Sequence, residues 1–253
     1  MLRFFLLATA ALAATAVHAD DEYSGSAKSA QTGDFMPNEC HYEEFSNQFI
    51  SAAESRFAYV TKSFWDEELL CGRCVSISVP PSTTANVPNT TITAMIISNF
   101  ADECTDGSCK HDIKLSAQAY RDMLNQGTGS RIRVGWSIVD CPEDFVKGGV
   151  EFAFDEATSK QMLTVQPRNF LGQIDKMSVE FADGTSYDFG EAGENAVGSN
   201  RFVVIEDGKH DFSEPFTIVA SNVASDDEIR VDVKEQPQWN EVFITDVQFT
   251  IDN

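Results

Sequence analysis

All six cysteines of this 253-residue chain, Cys40, Cys71, Cys74, Cys104, Cys109 and Cys141, fall between positions 40 and 141, and none follows. That distribution implies two units stabilised by different means, one cross-linked and one held by its apolar core. Residues 1–19 have the form of a secretory signal: Arg3 gives the positive start, Phe4 to Val17 an apolar run, and Val17-His18-Ala19 a small-x-small cleavage pattern. An exported chain meets an oxidising compartment, so the six thiols read as up to three disulfides whose pairing the sequence leaves open. A zinc site at Cys71-Gly72-Arg73-Cys74 is the competing reading, but no second Cys-x-x-Cys and no His pair completes a tetrahedral set. His41, His111 and His210 are too widely spaced for a metal centre, so neither a metal nor another cofactor is expected.

Charge narrows the partners. Forty Asp and Glu against eighteen Lys and Arg give a net charge of -22, which repels nucleic acid, anionic membrane surfaces and acidic pectins. Neutral sugars, proteins and small molecules remain. After the signal no apolar stretch approaches the roughly 20 residues of a membrane helix. With 42% hydrophobic residues both halves can bury a core.

The boundary between the halves falls near Pro142 to Gly149, where Lys147-Gly148-Gly149 reads as a short flexible joint. Residues 20–38 are polar and read as a flexible N-terminal segment, leaving 39–146 and 147–253 as the two domains. In the first, Cys74 to Val79, Thr91 to Ile97 and Arg131 to Val139 have the alternation or β-branching of strands. Ser116 caps a helix over Ala117 to Asn125. Asn89-Thr90-Thr91 is a glycosylation sequon at Asn89. The second half reads as short strands: Lys176 to Phe181 and Thr185 to Phe189 around Asp183-Gly184, then Arg201 to Glu206, Phe216 to Ala220, Glu228 to Val233 and Glu241 to Ile251. A small closed barrel followed by a β-sandwich is expected, an all-β chain.

Cys40-His41-Tyr42, Cys71-Gly72-Arg73-Cys74, His111-Asp112-Ile113-Lys114-Leu115-Ser116 and the run from Arg131 to Pro142 resemble the first domain of expansins. Ser159 to Phe170 with Lys176-Met177-Ser178-Val179 resembles the opening of their second. The resemblance implies a six-stranded double-psi β-barrel, related to family 45 endoglucanases, followed by an immunoglobulin-like sandwich that binds cellulose. It implies wall loosening without hydrolysis by a secreted monomer acting on a neutral wall glucan. It also implies a polysaccharide groove at Ser98, Asn99, Phe100, Asp112 and Lys114, where Lys114 stands in the place of the family's usual Asp and Phe100 in that of a Tyr. Lys28 lies where a Thr is common. On the sandwich, Gln161, Met162 and Ser199 occupy the places of the family's exposed aromatics, leaving Phe170, Tyr187 and Trp239 as replacement rings.

Glycoside hydrolysis needs a pair of carboxyl groups flanking the scissile bond. Asp112 as acid and Asp102 as base are the weak candidates, on or beside an acidic loop with Glu103 and Asp106. A weak endoglucanase is therefore one alternative, and a wall-located interaction protein that has lost loosening is another. An ammonium at Lys114, where hydrolysis needs an acid, favours the non-hydrolytic reading.

Overall fold

The six-stranded barrel is assembled from strands that are far apart in sequence. The computed structural model describes residues 22–30, 39–42, 55–66, 70–80, 90–124, 131–191, 201–205, 208–222, 227–238 and 241–250. Its first unit comprises β1 (Tyr23–Ser29), β2 (Phe57–Thr61), the one-turn helix α1 (Lys62–Trp65), β3 (Cys74–Ser78), β4 (Thr91–Phe100), β5 (Ile113–Leu115), α2 (Ala117–Met123) and β6 (Ile132–Val139). The strands close in the order β1-β5-β2-β4-β3-β6, with β1/β5 and β2/β4 parallel. Closure leaves no unpaired edge. Buried Val75, Ile77, Ile96, Val134 and Trp136 fill the interior. Ser116 caps α2 by accepting from Ala119 N at 3.1 Å, and the helix ends at Met123, short of the expected Asn125.

Within the 20–38 segment expected to be flexible, the first strand is a correction, because Tyr23–Ser29 pairs with β5 on one side and β6 on the other. Its small residues have a steric cause. Gly25 runs against the backbone carbonyl of His111, where a Cβ would clash, and Ala27 is fully buried.

The cysteines pair as Cys40–Cys71, Cys74–Cys141 and Cys104–Cys109. Cys71 and Cys74 are thereby spent on different partners, which removes the zinc reading.

The second unit follows a 3-10 turn at Glu143–Phe145. It comprises β7 (Glu151–Phe154), β8 (Met162–Arg168), β9 (Ile174–Phe181), β10 (Ser186–Asp188), β11 (Gly190–Glu191), β12 (Phe202–Ile205), β13 (Phe216–Asn222), β14 (Glu228–Val233) and β15 (Val242–Ile244). Two sheets, β10-β9-β13-β14 and β11-β12-β8-β7-β15, enclose a core that includes Phe152, Phe154, Val165, Val179, Phe212 and Ile218. The expected strand over Glu241 to Ile251 shrinks to Val242–Ile244. The chain has the all-β fold expected of it, a closed barrel followed by further sheets.

Bonds cross between the units. Gln166 Nε2 donates to the Cys40 carbonyl at 2.8 Å, and Arg73 Nη1 to Gln173 Oε1 at 2.6 Å. Gly72, at φ +79°, fits between the Tyr42 hydroxyl and the Phe170 ring, with 2.9 Å and 3.7 Å left to a would-be Cβ. The joint expected to be flexible is fastened. Asn169, in the left-handed region at φ 55°, accepts from Lys147 N at 3.0 Å and donates to the carbonyls of Lys147 and Gly149 at 2.9 and 2.7 Å. Asn tolerates that backbone conformation better than most residues.

A pH-sensitive cluster sits on the sandwich. His210 stacks on Phe181 at 4.4 Å and reaches Glu214 and Asp183 through its two ring nitrogens, at 3.1 and 3.2 Å, with Lys209 also on Asp183. The Glu214 hydrogen bond, and then Asp183, raise the His210 pKa. A histidine raised on folding contributes stability that is complete below its unfolded pKa and is lost as pH rises through the folded one. Thermal unfolding of wild type and His210→Gln should therefore differ at mildly acid pH and converge at alkaline pH. A difference that persists unchanged at alkaline pH would contradict this.

Candidate functional site

Strand register sets a row of side chains across the barrel wall. Lys28 of β1 lies opposite Lys114 of β5, Lys114 opposite Tyr59 of β2, and Tyr59 opposite Ser98 of β4. Within β5, Ile113 and Leu115 are fully buried. Lys114, between them in sequence, emerges on the other face, as the two-residue period requires. Phe100 closes the end of β4. The Lys114 ammonium lies 4.2 Å and the Lys28 ammonium 5.5 Å from its ring centroid. The ring is only 7% exposed, so its face is occupied by cations, and the surface offered here is ammonium on aromatic.

The loop closed by Cys104–Cys109 leans over this row. Glu103 pairs with Lys28 and lies 3.7 Å from Arg131. Asp112 pairs with Arg131 and accepts from the Ser26 backbone N–H at 2.8 Å. Its side chain is 7% exposed. Asp102 accepts from Ser63 Oγ at 3.0 Å. Burial first, and then the charges of Lys114 and Arg131, lower the Lys28 pKa, against the opposing pull of Asp112. Ser98 Oγ accepts from Glu39 N at 3.2 Å, tying the chain before Cys40 to β4, while Asn99 is half-buried. The proposed groove residues thus share one wall of the barrel, with Asp112 turned to Arg131 and Phe100 covered by the two lysines.

The sequence did not point to Arg131 and Arg133, or to the aromatic nest beside them. There Tyr23 packs on Trp136 at 4.6 Å and on Phe64 at 4.9 Å, and Trp136 Nε1 donates to the His111 carbonyl at 2.8 Å. Three separate segments supply these rings.

On the sandwich, Gln161 is exposed and Met162 half-buried. The backbone N–H groups of both donate to Ser159 Oγ, at 3.3 and 3.2 Å. Met162 lies opposite Ile205, which is 66% exposed, so the two present an aliphatic step on this edge. Phe170 is buried at 6% and belongs to the core, and Tyr187 packs edge-on against Phe181 at 5.8 Å. Ser199, Trp239 and Asn89 lie outside the described residues.

No family model matches the sequence, and a search of curated proteins finds no match either. Solved structures do match. The crystal structure of a point-substituted Clavibacter michiganensis expansin in complex with cellohexaose superposes with a TM-score of 0.63 at 14% identity, covering 92% of this chain and 100% of that one. The apo form of the same organism's expansin gives the same values. The chain has the expansin fold. At 92% of this chain, the likeness extends over both its barrel and its further sheets. In this expansin fold the wall of the barrel carries Lys28, Lys114 and Arg131 together.

Proposed function

We propose that this protein is secreted and, as a monomer, docks along a neutral cell-wall β-glucan chain, loosening its packing without cutting it. The observation that carries this reading is the two-module fold, matched over 92% of the chain to a protein crystallised with cellohexaose. The direct bonds from Gln166 and Arg73 across the two units support their acting on one polymer. Three disulfides fit an oxidising destination.

The carboxylates weigh against hydrolysis. Retaining and inverting mechanisms both need one carboxylic acid to protonate the leaving oxygen and a second carboxylate facing the sugar from the other side. Lys114 offers an ammonium on the barrel wall, Asp112 is engaged by Arg131 and Ser26 N, and Asp102 is held by Ser63.

Incubation with soluble β-glucan should release no reducing ends above a protein-free control. Sustained turnover that is abolished by Asp112→Asn would overturn the non-hydrolytic reading and favour the endoglucanase.

A further inference from the structure

A second recessed site lies beside the glucan wall. Between β1, β6 and the Cys104–Cys109 loop is a cavity of about 370 Å³, lined by Ser24, Ser26, Ser108, Asp112, Arg131 and Arg133. Register explains the set: Ser26 lies opposite Arg133, and Ser24 opposite Gly135. Arg131 and Arg133 are two apart in an extended segment and so project to the same side, as do Ser24 and Ser26. Gly135 adds no side chain, and the Glu22 carboxylate lies over it, with its Oε1 3.0 Å from a would-be Cβ. The inward positions of the same strands, Ala27, Val134 and Trp136, are buried in the core.

We propose that this cavity binds the carboxylate of an acidic sugar, a uronate unit branching from a xylan-type wall polysaccharide that accompanies the β-glucan, with Arg133 and Arg131 as the cationic donors. The inference rests on the polysaccharide reading above and deepens it. Arg131 is held in place by the buried Asp112 and by Glu103, so one guanidinium is oriented before a ligand arrives. Arg133 is exposed, and among the described residues no carboxylate pairs with it. A planar guanidinium fork matches a carboxylate in bidentate fashion, while the serine hydroxyls can donate to and accept from ring hydroxyls. Lys28 and Lys114 extend the positive band onto the Phe100 wall. Four cations are gathered here on a chain whose net charge is -22, facing Asp112, Glu103, the Glu22 carboxylate over Gly135 and Asp106 beside Ser108. The crowding that lowers the Lys28 pKa would be relieved by a bound anion.

The test titrates the full chain with three soluble probes: a glucuronate-substituted xylo-oligosaccharide, its unsubstituted counterpart and cellohexaose. The substituted probe should bind about tenfold more tightly than the unsubstituted one, the worth of one charge-assisted hydrogen-bonded pair. That advantage should shrink with added salt and should vanish in Arg133→Gln, an exposed position whose replacement leaves the circular dichroism unchanged. Equal binding of the two xylo-oligosaccharides, or an advantage that survives Arg133→Gln, would overturn the site. Retention on insoluble cellulose separates this inference from the one beneath it. Retention without a uronate preference removes the site and leaves the docking function, whereas a uronate preference without retention does the reverse.

Discussion

Arg168→Met should destabilise the protein by about 3–5 kcal/mol, the cost of stranding a buried partner charge. Arg168 and Glu151 are both fully buried, with Arg168 Nη2 3.2 Å from Glu151 Oε2. Burial lowers the Arg168 pKa to about 10, against the opposing pull of Glu151 and then Tyr42, so desolvation outweighs attraction and the pair is no large net stabiliser. The double variant Arg168→Met with Glu151→Met, which strands no charge, should cost much less than the single one. Urea titration of the single and double variants measures the difference. Equal losses would show that packing, not charge, dominates. Tyr42 is fully buried in the barrel unit and is subject to the Arg168 charge from the sandwich.

Removing the Cys74–Cys141 disulfide by double Ala substitution should cost about 4 kcal/mol on the loop-entropy estimate for its 67-residue separation. Removing Cys104–Cys109, separated by 5, should cost roughly half as much by the same estimate. The first bridge joins the first residue of β3 to Cys141, two residues beyond the end of β6, locking two neighbouring barrel strands. The loss should appear in barrel unfolding followed by hydrogen exchange of β3 and β6. Exchange in β13 and β14, in the cysteine-free sandwich, should change far less. Uniform acceleration across both units would mean that they unfold as one.

The strands that sequence made legible are those with one buried face. Cys74–Ser78 and Ile132–Val139 alternate, and their inward side chains Val75, Ile77, Val134 and Trp136 are indeed buried. Tyr23–Ser29 escaped because its place between two strands demands small residues, with Gly25 against His111 and Ala27 inside. It therefore carries no apolar alternation. Glu151–Phe154 was missed for the opposite reason: all four residues are buried, and a buried Glu paired with an Arg distant in sequence leaves no local mark. Of the candidate site, Lys114 and Phe100 could be singled out by resemblance, but the meeting of Lys28, Lys114, Arg131 and Arg133 comes from the register of β1, β5 and β6. Charge averaged over the whole chain hides such a patch.

Retention on insoluble cellulose, measured for the intact protein and for Arg73→Ala with Gln166→Ala, tests most directly whether two coupled modules dock on one chain. Linked sites gain from a high effective concentration at the second contact. The intact protein should therefore be retained, and the junction variant, folded but uncoupled, should wash off more readily. No retention of the intact protein on cellulose would contradict the docking function, and equal retention of the two proteins would contradict its dependence on the junction.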